Sequence, residues 1–306
     1  MDLEKREKVK KKILKNYELY KLNHSRLKRF LKSPVKTFLF FILAYFSYRR
    51  PFKVRYKTFW GDKMSFYLPE GNAIYYYGFF EANLTNFFLN FLKEGDVFFD
   101  VGAHVGYYSV LASVLVGEKG FVHSFEPTPR TFNSLKKNLQ NKNNVFVNNN
   151  AVLNTETEIS FIDYGAKYSA FNSFQKRTGV GTSFLKKGTE IRVKTISLDN
   201  YCNIKNTKPN FIKIDAEGAE YLILEAMDHI LEKIKPVVSI EVAGGEEWKD
   251  NCSKSINFLK EKDYLAFEIT LEGLLIPHEQ KEVYSYDNLI FVHKEKIHLI
   301  TDLILK

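Results

Sequence analysis

Runs of apolar residues alternate with segments of helical spacing over the last two thirds of the chain. Runs with strand character occupy residues 97–99, 121–125, 145–147, 211–214, 236–241, 265–270 and 289–292. Helical periodicity marks residues 128–140, 219–234 and 251–262, and the segments 159–162 and 191–196 predict an antiparallel insertion around a polar loop at 164–188. Strands that alternate with helices in this way indicate an α/β fold with a mostly parallel, doubly wound sheet.

The N-terminal part follows a different pattern. Residues 1–32 mix Lys with a ragged apolar face and predict one or two helices, and 37–48 is a solid apolar run. A spanning helix needs roughly 20 apolar residues, so we interpret this run as a core helix packed on the α/β domain. An interfacial membrane anchor is the alternative. Residues 52–80 predict a β-hairpin or short meander, and 81–93 predict a helix.

These patterns divide the chain into four parts. They are a helical extension at 1–51, a hairpin with a lead-in helix at 52–94, the α/β domain at 95–293 and a tail at 294–306.

The charge of the protein is concentrated at its N-terminus. The 306 residues carry a net charge of +9, but residues 1–57 hold 18 Lys+Arg and 4 Asp+Glu, which leaves the remainder net acidic. A basic arm of this kind points to an anionic membrane surface or a nucleic acid as a partner. The two cysteines, Cys202 and Cys252, lack metal-ligand spacing, so we expect a reducing compartment and no zinc site.

A glycine-bearing turn follows the first strand of the predicted domain. Asp100 ends the run 97–99, and the small residues Gly102, Ala103 and Gly106 precede a segment of helical spacing. A strand, a tight turn and a helix start are typical of a nucleotide-type cofactor site, because glycines let the backbone approach a ligand closely.

The nature of that cofactor is indicated by two acidic residues. Glu126 ends the next strand, 26 positions after Asp100, where a carboxylate can bind both ribose hydroxyls of an adenosine; a surface Glu that caps the following helix is the alternative. The turn Gly102-Ala103-His104-Val105-Gly106 lacks the G-x-G-x-x-G pattern of dinucleotide sites. Because Asp100 suits an amine-bearing ligand better than a phosphate, we favour S-adenosylmethionine over a nicotinamide cofactor.

Further carboxylates are predicted at the same edge of the sheet. The segment FIKIDAEGAE (211–220) brings Asp215 and Glu217 there, with Lys213 and Asp215 on one face of the strand. Glu241 ends the strand 236–241; a proton-accepting role and a plain polar strand terminus fit it equally well. The candidate bases are Asp215, Glu217, Glu241, His104 and His278, whereas His123 lies inside a strand and is interpreted as a core histidine. The clustered carboxylate and His candidates leave a metal site open, but no ligand spacing specifies one.

Residues 78–293 resemble the FkbM family of S-adenosylmethionine-dependent methyltransferases. The resemblance rests on the motifs DVGAHVGYYS, FEPTP and FIKIDAEGAE, together with TISLDN and DNLIFV, which occur in the order of the family. The resemblance implies a Rossmann-like methyltransferase fold with an antiparallel last strand, and O-methylation of sugars or small metabolites. It implies that Asp100, Gly102 and Gly106 line the methionine side, with Ala103 and His104 as further cofactor-binding candidates, and that Glu126 holds the ribose.

The resemblance extends to the rest of the site. It implies that Asn150 borders the adenine, that Asp215 also contacts the cofactor, and that Asp215 and Glu217 face the methyl-transfer region. His104 stands where the family usually has Asn. We interpret the loop at 164–188 as an acceptor-binding lid, with a disordered insertion as the alternative. Its candidate acceptor contacts are Tyr168, Asn172, Ser173, Gln175 and Arg177, with His278 from a later loop.

Three functional hypotheses follow. The first is an O-methyltransferase acting on a sugar, a glycan or glycolipid, or a small metabolite, cytoplasmic or held at an anionic membrane by residues 1–57. The second is a protein that binds S-adenosylmethionine without turnover, and the third is a nicotinamide oxidoreductase. Two features argue against a nucleic-acid substrate. The α/β domain is net acidic, and it has Asp215-Ala216-Glu217-Gly218 where amino-group methyltransferases carry an Asn/Asp-Pro-Pro-aromatic segment.

Overall fold

The computed structural model describes residues 1–174, 188–242, 246–281, 284 and 287–305, with the side chains at 23, 24, 26 and 246–248 excepted. The strands are β1 (Phe52–Lys57), β2 (Lys63–Leu68), β3 (Val97–Val101), β4 (Phe121–Phe125), β5 (Val145–Asn148), β6 (Ala151–Val152), β7 (Glu158–Asp163), β8 (Thr189–Ile196), β9 (Phe211–Ile214), β10 (Val237–Val242), β11 (Tyr264–Ile269), β12 (Leu275–Pro277) and β13 (Asp287–His293). The helices are α1 (Leu3–Tyr20), α2 (Arg26–Lys32), α3 (Pro34–Arg49), α4 (Asn72–Tyr77), α5 (Ala82–Phe91), α6 (Tyr107–Leu115), α7 (Pro129–Leu139), α8 (Leu198–Lys205), α9 (Glu220–Glu225) and α10 (Glu246–Glu261).

An eight-stranded sheet forms the centre of the molecule. Its strand order is β12-β11-β13-β10-β9-β3-β4-β5. The strands β5, β4, β3, β9 and β10 pair in parallel, and β13 runs antiparallel to both β10 and β11. This confirms the predicted doubly wound sheet with an antiparallel last strand; the short β12 was not predicted.

The strand order reverses between β3 and β9. From β3 the chain moves outward to β4 and β5, and it then returns to add β9 and β10 on the other side. In open α/β sheets, ligands bind in the crevice outside the carboxyl ends of the strands at such a switch point. The fold therefore places a binding site at the ends of β3 and β9.

Side chains of the central strands alternate between two packed layers. Phe98 and Phe211 belong to the core beneath α5 and α6, whereas Phe99 and Ile212 belong to the opposite core with α8 to α10. Apolar residues on both faces of β3 and β9 explain why their sequences read as continuous apolar runs.

A smaller sheet forms the predicted insertion. β7 and β8 pair antiparallel on either side of the loop, and β6 adds to β8 in parallel. The order β6-β8-β7 brings residues 151 and 152, which follow β5, next to this insertion.

The N-terminal region packs on the first layer of the core. Val9 and Ile13 of α1 are fully buried, and the Arg6 guanidinium donates to the carbonyl oxygens of Leu89 and Leu92 at 2.9 and 2.6 Å. β1 and β2 form the predicted hairpin, but residues 72–77 form α4 rather than further strand. The four-part division of the chain stays a prediction.

Two sequence predictions about helices are wrong. The apolar run 37–48 does form a helix, α3, but it is not a core helix, because only Thr37 and Ser47 of α3 are buried. The predicted helix 219–234 is two segments, α9 and a π-helical turn at Ile230–Ile234. The Asp199 carboxylate accepts hydrogen bonds from the backbone N–H groups of His229 and Ile230, both at 2.9 Å, and so stabilises a second helical start.

Candidate functional site

A cleft of about 930 Å³ opens at the carboxyl ends of β3, β4 and β9. Its polar lining residues include His104, Glu126, Asn150, Asp215 and Glu217. The cleft is therefore the binding site that the strand order predicts.

The glycine turn after β3 packs against the end of β9. A Cβ atom at Gly102 would lie 1.8 Å from the backbone oxygen of Asp215, and Gly102 has a φ of +76°. The N–H groups of Gly102 and Ala103 both donate to the carbonyl oxygen of Phe125, at 3.1 and 2.9 Å. Only glycine fits this conformation and this close approach, so the turn fixes one wall of the cleft.

Glu126 lines the cleft at the end of β4. Its carboxylate accepts hydrogen bonds from the backbone N–H groups of His104 at 3.0 Å and Thr128 at 2.9 Å. Burial raises the pKa of Glu126, and His104 and the two N–H donors oppose that rise. Glu126 thus contacts the residue before α7, as the capping alternative expected, and also lines the cleft.

His104 is held by residues from two other segments. Its Nε2 lies 2.8 Å from the Ser169 hydroxyl and 3.5 Å from the Glu70 carboxylate, and its φ is +51°. Burial would lower the pKa of His104, but the nearby Glu70 carboxylate outweighs it and raises the pKa above 6.5. Burial would likewise raise the pKa of Glu70, yet His104, Ser169 and Ala170 lower it.

An apolar wall closes the cleft beyond β4 and β5. It is formed by Phe125, Ala151, Val152, Leu153, Ile159, Phe161 and Phe174. Asn150 stands at its edge, between β5 and β6. A flat apolar ring system such as a purine fits a wall of this composition.

Buried charges lie at the opposite side of the cleft. The Lys213 ammonium is 2.8 Å from the Asp215 carboxylate and stacks over the Tyr108 ring at 5.1 Å. Burial would lower the pKa of Lys213, but the carboxylates of Asp215, Asp100 and Glu81 outweigh it and raise the pKa. In the same way, burial would raise the pKa of Asp215, whereas Lys213 holds it below its ordinary value.

Glu241 lies beside Asp215 and Glu217. One carboxylate oxygen from each of the three residues lies within 4.8 Å of the others, which is close enough to hold a metal ion, although no spacing in the sequence signals one. Burial, and then the charges of Asp215 and Glu217, raise the pKa of Glu241 well above its ordinary value. Its Oε2 is buried without a hydrogen-bond partner among the described residues. A hydrogen bond with Glu241 in turn helps to lower the pKa of Asp215.

A sequence model described as "Methyltransferase FkbM domain" matches residues 100–266, more than half of the chain. The chain belongs to the FkbM methyltransferase family. Its match to the hexuronic acid methyltransferase AglP of Haloferax volcanii is 28% identical over 174 residues, which span 56% of this chain and 65% of that protein. The match thus covers less than two thirds of the length of this relative.

Solved structures are similar at low identity. An FkbM methyltransferase from Methylobacillus flagellatus is 14% identical, with a TM-score of 0.42 over 66% of this chain and 44% of that chain. Fibrillarin from Aeropyrum pernix, solved with bound S-adenosyl-L-methionine, is 11% identical, with a TM-score of 0.38 over 65% of this chain and 67% of that chain.

The FkbM motifs do not all reach the cleft. Asp100 is 1% exposed and accepts a hydrogen bond from the Ser109 hydroxyl at 2.6 Å, beneath the cleft rather than in its lining. Ala103 and Gly106 belong to the turn but do not line the cleft; Gly106 precedes α6 with a φ of +88°. Glu241 stands behind Asp215.

Only some of the predicted acceptor contacts that the structure describes line the cleft. Asn172 lines the cleft, whereas Tyr168 and Ser173 do not, and Gln175 and Arg177 lie outside the described residues. His278 is not part of the cleft lining either. Its imidazole forms hydrogen bonds with the Glu268 carboxylate at 3.0 Å and the Tyr284 hydroxyl at 2.8 Å, near β11 at the far end of the sheet. His123 is a buried core histidine, as predicted, and it contacts the Tyr201 hydroxyl at 2.8 Å.

Two carboxylates of the site, those of Glu70 and Glu81, were not predicted from the sequence. Glu70 follows β2 and accepts hydrogen bonds from the Ser169 hydroxyl at 2.5 Å and the Ala170 N–H at 2.6 Å. Glu81 precedes α5 and accepts from the Tyr108 hydroxyl and the Asn288 amide, both at 2.8 Å. Both come from the segment before the glycine turn, and no local motif marks either residue.

Proposed function

We propose that this protein is an S-adenosylmethionine-dependent O-methyltransferase that acts on a sugar hydroxyl. The observation that carries the proposal is the contact of Gly102 with the Asp215 carbonyl, next to Glu126 at the tip of the adjoining strand. This arrangement forms a close backbone wall with a carboxylate for a ribose and lacks the second early glycine of a pyrophosphate turn. Membership of the FkbM family supports methyl transfer as the reaction.

The residues of the cleft fit this cofactor. We assign the ribose hydroxyls to Glu126, the adenine to the apolar wall with Asn150, and the methionine end to the turn at Gly102 and His104. When bound there, S-adenosylmethionine supplies an activated methyl group on a sulfonium. Because the donor is already activated, the protein contributes mainly orientation and a group that receives the hydroxyl proton.

We assign the proton-accepting role to Asp215 together with Glu217, both of which line the cleft. Lys213 keeps Asp215 ionised, so its carboxylate can accept a hydrogen bond from the sugar hydroxyl. We assign Glu241 a positioning role, because its hydrogen bond with Asp215 orients that carboxylate and helps to lower its pKa.

A uronic-acid-containing glycan or glycolipid is the acceptor class that we favour. The support is the sequence similarity to AglP, a protein named for hexuronic acid methylation. The cleft itself does not select among sugars, so the acceptor assignment needs a direct assay.

Cofactor binding is tested by isothermal titration of S-adenosylmethionine into the full chain. We expect Glu126→Gln to weaken binding about tenfold or more, because it removes a charge-assisted hydrogen bond to the ribose. The matched control Glu118→Gln, at an exposed turn after α6, leaves affinity unchanged. Equal affinity of Glu126→Gln and the unmodified protein would contradict the ribose assignment. In a separate measurement, a change in NADH fluorescence on mixing with the protein would favour an oxidoreductase.

Turnover is tested with methyl-labelled S-adenosylmethionine and three acceptors: a uronic-acid glycan, its carboxyl-reduced neutral form and a lipid-linked uronic-acid glycan. We expect label in an O-methyl group of the uronic-acid acceptors, with Asp215→Asn reducing kcat at unchanged cofactor affinity. Saturable cofactor binding without label transfer to any acceptor would instead support a silent binding protein.

A further inference from the structure

The helix α3 presents a continuous apolar stripe to solvent. Val35, Phe38, Leu39, Ile42, Tyr45 and Phe46 recur at spacings of three and four residues and are all exposed, with Val35 at 71%, Phe38 at 59% and Phe46 at 58%. Residues at this spacing share one side of a helix. Large apolar side chains grouped in one patch mark an interaction surface rather than ordinary scatter.

The other side of α3 faces the protein and is partly polar. Thr37 and Ser47 are fully buried, and the Thr37 hydroxyl lies 3.1 Å from the Arg29 carbonyl oxygen and 2.9 Å from the Tyr76 hydroxyl. Phe40 packs on the Tyr76 ring at 4.6 Å. These contacts fix the rotation of α3, so its apolar stripe points outward, unlike that of an ordinary surface helix.

Positive charge surrounds this stripe. Residues 19–61 contain eleven Lys or Arg and no Asp or Glu. Lys28 and Lys32 on α2, and Arg49 and Arg50 at the end of α3, are exposed. An apolar stripe within a segment whose charged residues are all basic is complementary to a bilayer surface with anionic headgroups.

The dimensions of α3 fit an orientation along the bilayer surface. Its 16 residues give a length of about 24 Å, less than the roughly 30 Å of a hydrocarbon core. Among the described residues, no helix is both long and apolar enough to cross a membrane.

We propose that α3 docks the protein on a bilayer that carries anionic lipid, with the stripe from Val35 to Phe46 inserted among the headgroups and the basic residues of α2 and α3 at the phosphate level. Docking here sets the cleft beside the membrane. Lys167 lies two residues before the cleft-lining Ser169 in the chain, and its ammonium lies over the Tyr48 ring of α3 at 5.1 Å.

The test is co-sedimentation of the full chain with vesicles of phosphatidylcholine alone or mixed with phosphatidylglycerol. We expect binding to the mixed vesicles that weakens with added salt. Phe38→Gln/Phe46→Gln should weaken it at least about tenfold, because it removes two inserted aromatic rings. Lys28→Gln/Lys32→Gln should weaken it about 10- to 30-fold on mixed vesicles only.

The matched control is Ile204→Gln/Leu265→Gln, which alters exposed apolar residues on α8 and β11 and should bind like the unmodified protein. All variants change exposed side chains, and circular dichroism confirms their folding. Unchanged vesicle binding by the Phe38/Phe46 variant, or equal binding to neutral vesicles, overturns the proposal. A dimer in light scattering that the same variant dissociates, without vesicle binding, also overturns it and assigns the stripe to a second copy of the chain.

Discussion

The two sides of the cleft are held in place by different forces. On the side of β3 and β4, Gly102 packs directly on the Asp215 backbone, and the Glu126 carboxylate accepts hydrogen bonds from uncharged backbone N–H groups. On the side of β9 and β10, Asp215 depends on the buried Lys213 ammonium, and burial and acidic neighbours raise the pKa of Glu241. The first side depends on shape, and the second depends on a balance of buried charge.

This difference predicts how each side fails. A wall made by close backbone contact tolerates charge changes but not added volume. A buried carboxylate that relies on a single ammonium tolerates neither the loss of that ammonium nor an extra unpaired charge. The residues that we assign to the cofactor and those that we assign to proton transfer are therefore held in place by different kinds of contact.

The largest effect is expected for Lys213→Met. Lys213 is 2% exposed, and its removal leaves Asp215 without its buried counter-charge, near Asp100 and Glu81. Breaking a buried ion pair in this way costs about 3–5 kcal/mol. The free energy of unfolding in urea measures it.

The double variant Lys213→Met/Asp215→Asn is the control for charge. Because it removes both members of the pair, it should recover part of the loss. If Lys213→Met unfolds with a free energy close to that of the unmodified protein, the β9 side does not depend on charge balance, and the contrast between the two sides disappears.

Gly102→Ala should have the next largest effect. Its Cβ would collide with the Asp215 carbonyl oxygen, and alanine would have to adopt a φ of +76°. Left-handed strain and overpacking together give about 2–4 kcal/mol. We expect a lower melting temperature and loss of S-adenosylmethionine binding by titration.

Gly61→Ala is the matched control for this change. Gly61 also has a positive φ, +108°, but a Cβ there would have nothing within 4 Å. It should show the strain alone, about 1–2 kcal/mol, with cofactor affinity retained. Equal losses at both positions would mean that the contact with Asp215 contributes nothing to the shape of this side.

The sheet could be predicted from the sequence because its strands carry their own signal. Phe98-Phe99 and Phe211-Ile212 are buried on both faces, so they read as unbroken apolar runs. The orientation of α3 could not be predicted in that way. A short helix that is apolar on nearly all sides gives the same pattern whether it is buried or exposed, and contacts with other elements, such as those of Thr37 with Arg29 and Tyr76, decide which side faces inward.

The candidate site was predicted in part for a similar reason. Asp215, Glu217 and Glu126 end strands, and the ends of parallel strands meet at one edge. Glu70 reaches His104 from β2, and Glu81 reaches the Lys213 group from the start of α5; neither position has a local pattern that indicates it. His278 has a motif-like position after Pro277 but lies near β11, away from the cleft.

The smallest effect is expected from pH, and it concerns the pair of His104 and Glu70 on the shape-dependent side. The pKa of His104 is raised above 6.5, so the stability that it contributes is full below about pH 6.5 and is lost as pH rises through the raised pKa. The pKa of Glu70 is lowered below 4.5, so its contribution is present above that value and is lost only at lower pH. The pair therefore stabilises the turn between these limits.

Glu70→Gln removes the charge that raises the pKa of His104. Between about pH 6 and about pH 8.5, the free energy of unfolding should fall more in the unmodified protein than in this variant, by on the order of 0.5 kcal/mol. Urea unfolding at the two pH values measures the difference, with Glu94→Gln, whose carboxylate is exposed 3.7 Å from Lys119, as the control. Parallel pH profiles for the unmodified protein and Glu70→Gln would show that the first side is held by shape alone, since His104 would then contribute no charge-dependent stability to the turn.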